Sequence, residues 1–207
     1  MMSVVGRRSS VAGRAAFGLV VALLPAVAWG QSAPIEALNA GLAATEKNGS
    51  TPFQQRYDAL APVVDKAFNL QQILKTIVGL KWSSIPADQQ GKLLAAFRAF
   101  TVSSYVSNFS GGDATFRILP ETRTVGSDKI VETEIVPKDG DPTRIDYVMR
   151  QSGADWQVVD VLEQGTISQT AVQRSDFRSL LQDGGAPKLI ESLTQKVDTL
   201  SGGAIKP

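Results

Sequence analysis

Alternation of apolar and polar residues is clearest between Arg144 and Leu162, in the run RIDYVMRQSGADWQVVDVL. Ile145, Tyr147 and Met149 alternate with Arg144, Asp146, Val148 and Arg150, the period of two that marks a half-buried antiparallel strand. Gln151 to Asp155 supplies a polar turn, after which Trp156, Val158 and Asp160 alternate with Gln157, Val159 and Val161. The same period holds upstream. Four strands are therefore predicted: Thr115 to Arg123, Lys129 to Pro137, Thr143 to Gln151 and Asp155 to Leu162. Gly126, Ser127 and Asp128, then Asp139, Gly140 and Asp141, then Gly153 are the residues that tight hairpins demand. Turns this short imply a sequential antiparallel meander.

On either side of the strands the period becomes helical. Ile35, Leu38 and Leu42 fall on one face of a helix ended by Asn48, Gly49 and Ser50. Thr51 and Pro52 read as the next helix start, with Phe53, Tyr57, Leu60 and Val64 along its face and Pro62 expected to kink or interrupt it. Asn69 is placed to cap a helix that turns Leu70, Ile73, Leu74 and Ile77 inward and stops at Gly79. A long helix then starts near Ser84, Pro86 and Asp88 and continues to Ser110, with a stripe from Leu93 to Phe109 wide enough for a helix covered on most sides or one lining a cavity. After the strands, Ser168 is a candidate cap for a helix through Phe177 to Leu181. Gly184 and Gly185 interrupt, Pro187 restarts, and Leu189, Ile190, Leu193, Val197 and Leu200 face one way, leaving Ser201 to Pro207 to fray. The predicted architecture is α+β. A four-stranded antiparallel meander sheet packs against helices from both the N- and C-terminal parts of the chain, and the two can enclose an apolar cavity.

Composition changes this picture at the N-terminus. Arg7, Arg8 and Arg14 precede an apolar run from Ala15 to Ala28, the pattern of a secretory signal peptide, and the run falls short of the roughly 20 residues a bilayer span needs. Residues 1–30 are thus expected to be a signal peptide and 31–207 a single domain. Cleavage is expected after Gly30, with Ala28 and Ala33 as alternatives and an uncleaved anchor as the competing reading. The leader holds three of the 21 basic residues and none of the 20 acidic ones, so the mature chain has 18 basic against 20 acidic residues and a formal charge of −2. Nothing in that balance recruits nucleic acid. The 207 residues are 43% hydrophobic and include neither cysteine nor histidine. An exported chain of this kind must be held by its core alone, and disulfides, thiol or histidine nucleophiles and histidine-ligated zinc are excluded.

Three groups remain as candidate chemistry. Asp146 and Asp160 lie on neighbouring strands and could be paired carboxylates, although a salt bridge with Arg144 or Arg150 explains a charge there as well. Arg174 and Asp176 could bind a phosphate or tie the sheet to the last helices. Ser168 has no base to activate it, which leaves capping as its role. No catalytic residue, cofactor or metal is assigned. Phe68, Trp82, Phe97, Phe100, Tyr105, Tyr147, Trp156 and Phe177, spread over helices and sheet, permit a preformed apolar pocket instead.

Several motifs then occur in a fixed order: Pro62 to Leu70 (PVVDKAFNL), Val78-Gly79 with Trp82, Pro86 with Gln89 and Gln90, Tyr147, Trp156 to Val161 (WQVVDV), Gly165 to Ser168, and Arg174 to Phe177. Together, from about Ile35 to Leu200, they resemble the MlaC, or toluene-tolerance, family of periplasmic lipid-binding proteins. Gly79 to Ser84 (GLKWSS), Tyr147 to Gln151 (YVMRQ) and Val172 to Phe177 (VQRSDF) are similar to the hopanoid-associated HpnM branch. Asn69 departs from the aspartate usual in the wider family, but both residues cap helices.

The resemblance implies a soluble shuttle in the periplasm that buries a phospholipid or hopanoid between sheet and helices. It further implies an inner-membrane transporter, and an outer-membrane complex, as partners of a monomer. Exposing some thirty methylenes at roughly 0.8 kcal/mol each would raise a barrier above about 20 kcal/mol, which such a carrier removes. Ile73, Ile77, Leu80, Leu94, Phe97, Tyr105, Tyr147, Met149, Val159 and Val161 are the expected pocket wall. A membrane-transporter adaptor that carries no lipid and, more remotely, a small hydrolase remain as the other readings.

Overall fold

Capping and burial decide where each helix begins and ends. The computed structural model describes residues 30–181 and 185–207, so the predicted signal peptide up to residue 29 and the expected break at Gly184 lie outside the described residues. Ile35, Leu38 and Leu42 share the buried face of α1 (Ala33–Lys47). α2 (Phe53–Ala67) buries Tyr57, Leu60 and Val64, and two expectations about it are corrected. Pro52, not Thr51, holds the cap position, while the Thr51 carbonyl accepts a hydrogen bond of 3.1 Å from Arg56 Nε. Pro62 does not interrupt the helix, which runs through it. It sits on the exposed side, where water can serve the carbonyl that proline leaves without a donor.

α3 (Leu70–Val78) starts as expected, with Asn69 Oδ1 accepting from the Gln72 N–H at 3.0 Å. Gly79 ends it at φ +66°, a conformation open to glycine, and a 3₁₀ turn (Gly79–Ser84) follows. α4 (Ala87–Asn108) buries Leu93, Ala96, Phe97, Ala99, Val102 and Val106, more than one face of the helix. α5 (Gln169–Phe177) is capped by Ser168 Oγ, which accepts from the Ala171 N–H at 3.1 Å; the helix stops at Phe177, short of the expected Leu181, in a second 3₁₀ turn. α6 (Pro187–Ser201) lays Leu189, Leu193 and Val197, one turn apart, against α4. The expected fraying after Ser201 does not occur. Ile205 is buried, its N–H donates to Ser201 Oγ at 3.2 Å, and Lys206 Nζ pairs with Asp198 Oδ1 at 2.7 Å.

The sheet has five antiparallel strands in chain order, one more than expected: β1 (Thr115–Val125), β2 (Asp128–Val136), β3 (Thr143–Ser152), β4 (Asp155–Glu163) and β5 (Ile167–Ser168). Two residues cannot display a period, so β5 leaves no pattern in the sequence. Val131, Tyr147 and Val161 pair in one row across β2, β3 and β4. Met149 then faces Val158 while Val148 faces Asp160, which makes Val159 an extra, bulged residue. The bulge sends Asp160 to the face opposite Val158, which corrects the unbroken alternation expected for this strand.

The helices meet this sheet unevenly. α1 packs on β1, and α2, α3 and α5 pack on β4, whereas α4 is held mainly by α6, α2 and α3 and touches no strand extensively. Where α2 passes into α3, Phe68 forms a parallel bridge with Val158 and the Asn69 N–H donates to the Val158 carbonyl at 2.9 Å.

Two stability measurements check this reading. Asn69→Ala is expected to cost about 1 kcal/mol in urea unfolding, while Asn69→Asp stays within a few tenths. The second concerns Asp128, whose carboxylate accepts two bonds from Arg150, at 2.8 and 2.6 Å, and is thereby held below its ordinary value of 3.8. A lowered folded value means stability present above pH 3.8 and lost as pH falls through the lower one. Asp128→Asn should therefore destabilise the protein at pH 7 by less than about 1 kcal/mol, and the gap to wild type should close in acid melts.

Candidate functional site

Rows of cross-strand partners put apolar residues on the helix-facing side of the sheet. Ile118, Thr133 and Ile145 form one row and Tyr147 with Val161 the next, with Phe116 two residues before Ile118 on β1. Phe116, Ile118, Ile145 and Val161 pack against the core but remain half-buried, as do Tyr105 on α4 and Phe109 just after it. The rings make a connected series. Phe68 lies 5.8 Å from Tyr105 and 6.4 Å from Tyr147 between ring centres, Tyr105 stacks on Phe109 at 6.4 Å, and Phe109 meets Phe116 edge-on at 5.3 Å. Aromatic surface thus runs from β3, past the α2–α3 junction and α4, to β1. Burial pushes the phenols of Tyr105 and Tyr147 up, and Tyr147 adds to the rise at Tyr105, so both stay neutral.

The expected wall divides. Ile73, Ile77, Phe97, Tyr147 and Met149 belong to the buried core, and Leu94, Tyr105 and Val161 are half-buried against it. Tyr105 and Tyr147 come together across Phe68, with Val161 paired beside Tyr147. Leu94 lies 11 residues before Tyr105 on α4, roughly 16 Å along the axis. Val159 is buried outside the main core, displaced by the bulge. Leu80 stands on the 3₁₀ turn with 98% of its surface exposed, beside Arg174 and Arg178 in a surface groove of about 470 Å³. Phe68, Phe109, Phe116, Ile118 and Ile145 were missing from the expected wall. For Ile145 the signal was available, since it shares a strand face with Tyr147 and Met149.

A larger groove, of about 620 Å³, opens between α1 and β1. Ala40, Ala43, Phe116 and Ile118 line it with Glu36, Glu46 and Lys47, so the aromatic series ends at the surface. Another of about 550 Å³ lies between Pro34, Pro62, Val63 and Trp156.

The polar candidates are occupied structurally. Asp146 is fully enclosed on the other face of the sheet, accepting from Arg144 Nε at 2.9 Å and Arg123 Nη2 at 2.6 Å. Glu132, opposite it on β2, pairs with the same two arginines. Gly165 closes over them at φ +73°, where a Cβ would come within 3.0 Å of Arg144 Nε. Asp160 accepts from Ser168 Oγ at 2.5 Å and from the Val161 and Thr170 N–H groups at 2.8 and 3.1 Å, fastening β4 to the start of α5. Arg174 donates through Nε and Nη2 to the Thr76 carbonyl near the end of α3, the tie between sheet-following and sheet-preceding helices. Asp176 is exposed. Among the described residues no group of three or more carboxylates is placed to hold a metal ion.

No curated protein matches this chain. A solved structure of a phospholipid-binding protein from Ralstonia solanacearum, in complex with a phospholipid, has the same fold. It superposes with a TM-score of 0.69 at 18% identity, covering 83% of this chain and 99% of the other. The family model described as MlaC protein matches residues 34–195, and the chain therefore belongs to the MlaC family.

Proposed function

We propose that this protein is a periplasmic lipid shuttle that carries a phospholipid or hopanoid between the inner and outer membranes, its tails held between α4 and the sheet. The observation that carries this reading is the half-buried apolar strip of Phe116, Ile118, Ile145 and Val161 on the helix side of the sheet, with Tyr105 and Phe109 half-buried on and just after α4, a helix without extensive strand contact. An ordinary two-layer core would bring these side chains into full contact. Membership of the MlaC family and the fold shared with a phospholipid-bound protein support lipid binding and transport, not catalysis. Sheet and α4 moving apart gives an acyl chain an apolar lining with neutral aromatic walls, close in character to a bilayer interior, so cargo can be both held and released.

The remaining parts of the proposal come from the sequence. Residues 1–30 direct export and are removed, the soluble domain works as a monomer, and it exchanges cargo with an inner-membrane transporter and an outer-membrane complex. The Gly79 to Ser84, Tyr147 to Gln151 and Val172 to Phe177 segments favour a place in the hopanoid-associated branch.

Organic extracts of the mature protein, purified without detergent from the periplasm of a host that makes both lipid classes, should yield about one lipid per protein by mass spectrometry. An empty protein that also takes up nothing from vesicles would overturn the carrier in favour of the adaptor. Val161→Gln and Phe109→Gln should lower lipid retention by roughly 5-fold or more, because each places an unpaired amide against acyl chain. Their melting temperatures should change far less than that of Ile77→Gln, which puts the amide into a site only 1% exposed. Undiminished retention in both strip variants would show that the tails lie elsewhere.

A further inference from the structure

Two hydroxyls stand out in the apolar strip. Tyr147 is 97% enclosed, with a relative exposure of 3%, yet its phenol has no hydrogen-bond partner among the described residues, and neither has that of Tyr105. Ser103 Oγ is the one described side-chain polar atom that is both sealed from solvent and unpartnered. The two tyrosine hydroxyls are therefore not sealed and border open space. Their rings both lie against the same neighbour, Phe68, at 5.8 and 6.4 Å. A buried phenol ordinarily finds an acceptor, and one left without costs stability that a ligand can restore.

We infer that Tyr105 and Tyr147 are hydrogen-bond donors to the ester carbonyls of a diacyl lipid, which makes the cargo ester-linked. The inference rests on the carrier reading and narrows it to a ligand class. A neutral phenol donates to a carbonyl without bringing a charge into the apolar strip, and a glycerol diester offers two such carbonyls close together for two donors. An ether-linked lipid with the same chains and headgroup fills the same space but presents only weak acceptors. A hopane ring system offers neither.

The experiment uses delipidated mature protein and two probes, a diacyl phosphatidylethanolamine and its dialkyl ether analogue of equal chain length, in competition for uptake from vesicles. Wild type is expected to retain the diester over the diether by roughly 2- to 10-fold for each hydrogen bond formed. In the double variant Tyr105→Phe, Tyr147→Phe the ratio should fall to one. A ratio of one in the wild-type protein, which needs no variant to fold, overturns the inference while leaving the carrier intact. A preference that survives in the double variant overturns it as well. Retention of neither lipid by wild type overturns the inference and restricts the carrier reading to a hopanoid cargo.

Discussion

The hydrogen bond from the Asn69 N–H to the Val158 carbonyl joins the two layers of this fold at backbone level. Around it, one short segment does three things. Phe68 bridges to Val158, the Asn69 side chain starts α3, and the next residue of β4, Val159, is the bulge. Because backbone atoms are involved on both sides, side-chain repacking alone cannot slide the helices over the sheet. The aromatic series takes its geometry from this point, since Phe68 is the ring that both Tyr105 and Tyr147 touch.

The opposite face of the sheet is organised by charge. Asp146 and Glu132 are buried there with Arg123 and Arg144, whose side chains reach partly into solvent. Enclosing two carboxylates is unfavourable unless each is paired, and a one-residue slip would carry them into the apolar side. Charge thereby fixes the register of β1, β2 and β3, while Asp160 fixes the corner into α5 through three hydrogen bonds. The carboxylates that looked like a catalytic pair from the sequence are thus the parts that hold the outer face in order.

Much of this was legible in the amino-acid sequence where a local rule acts alone. Asn69, Gly79 and Ser168 end or start helices through their own side chains or φ angles, and the four long strands follow their period to within two residues. What escaped depends on long-range contact. The bulge at Val159 lies where β4 meets both β3 and Phe68, and nothing in Val158-Val159 announces it. Leu80 looked like core because it and Trp82 follow an amphipathic helix closely, but a 3₁₀ turn directs it to solvent. The tail after Ser201 looked like a loose end, but Ile205 is buried with its N–H on Ser201 Oγ, and Lys206 pairs with Asp198. In the candidate site, Tyr105, Tyr147 and Val161 were found from the sequence, whereas Phe116 and Ile118 were not, since their inward direction is set by pairing with β2.

α4 carries a final consequence. Its enclosed residues pack with α6, where Leu189, Leu193 and Val197 supply cohesion, and with α2 and α3, while Tyr105 and the following Phe109 reach the rings of Phe68 and Phe116. In the proposed carrier, cohesion and capacity are thereby assigned to different residues of one helix and its exit. If the proposed carrier holds its cargo there, substitutions at Tyr105 or Phe109 reshape the interior for another width while the seam with α6 stays as it is. Evolution is left free to tune what such a scaffold accommodates, independently of whether it stands.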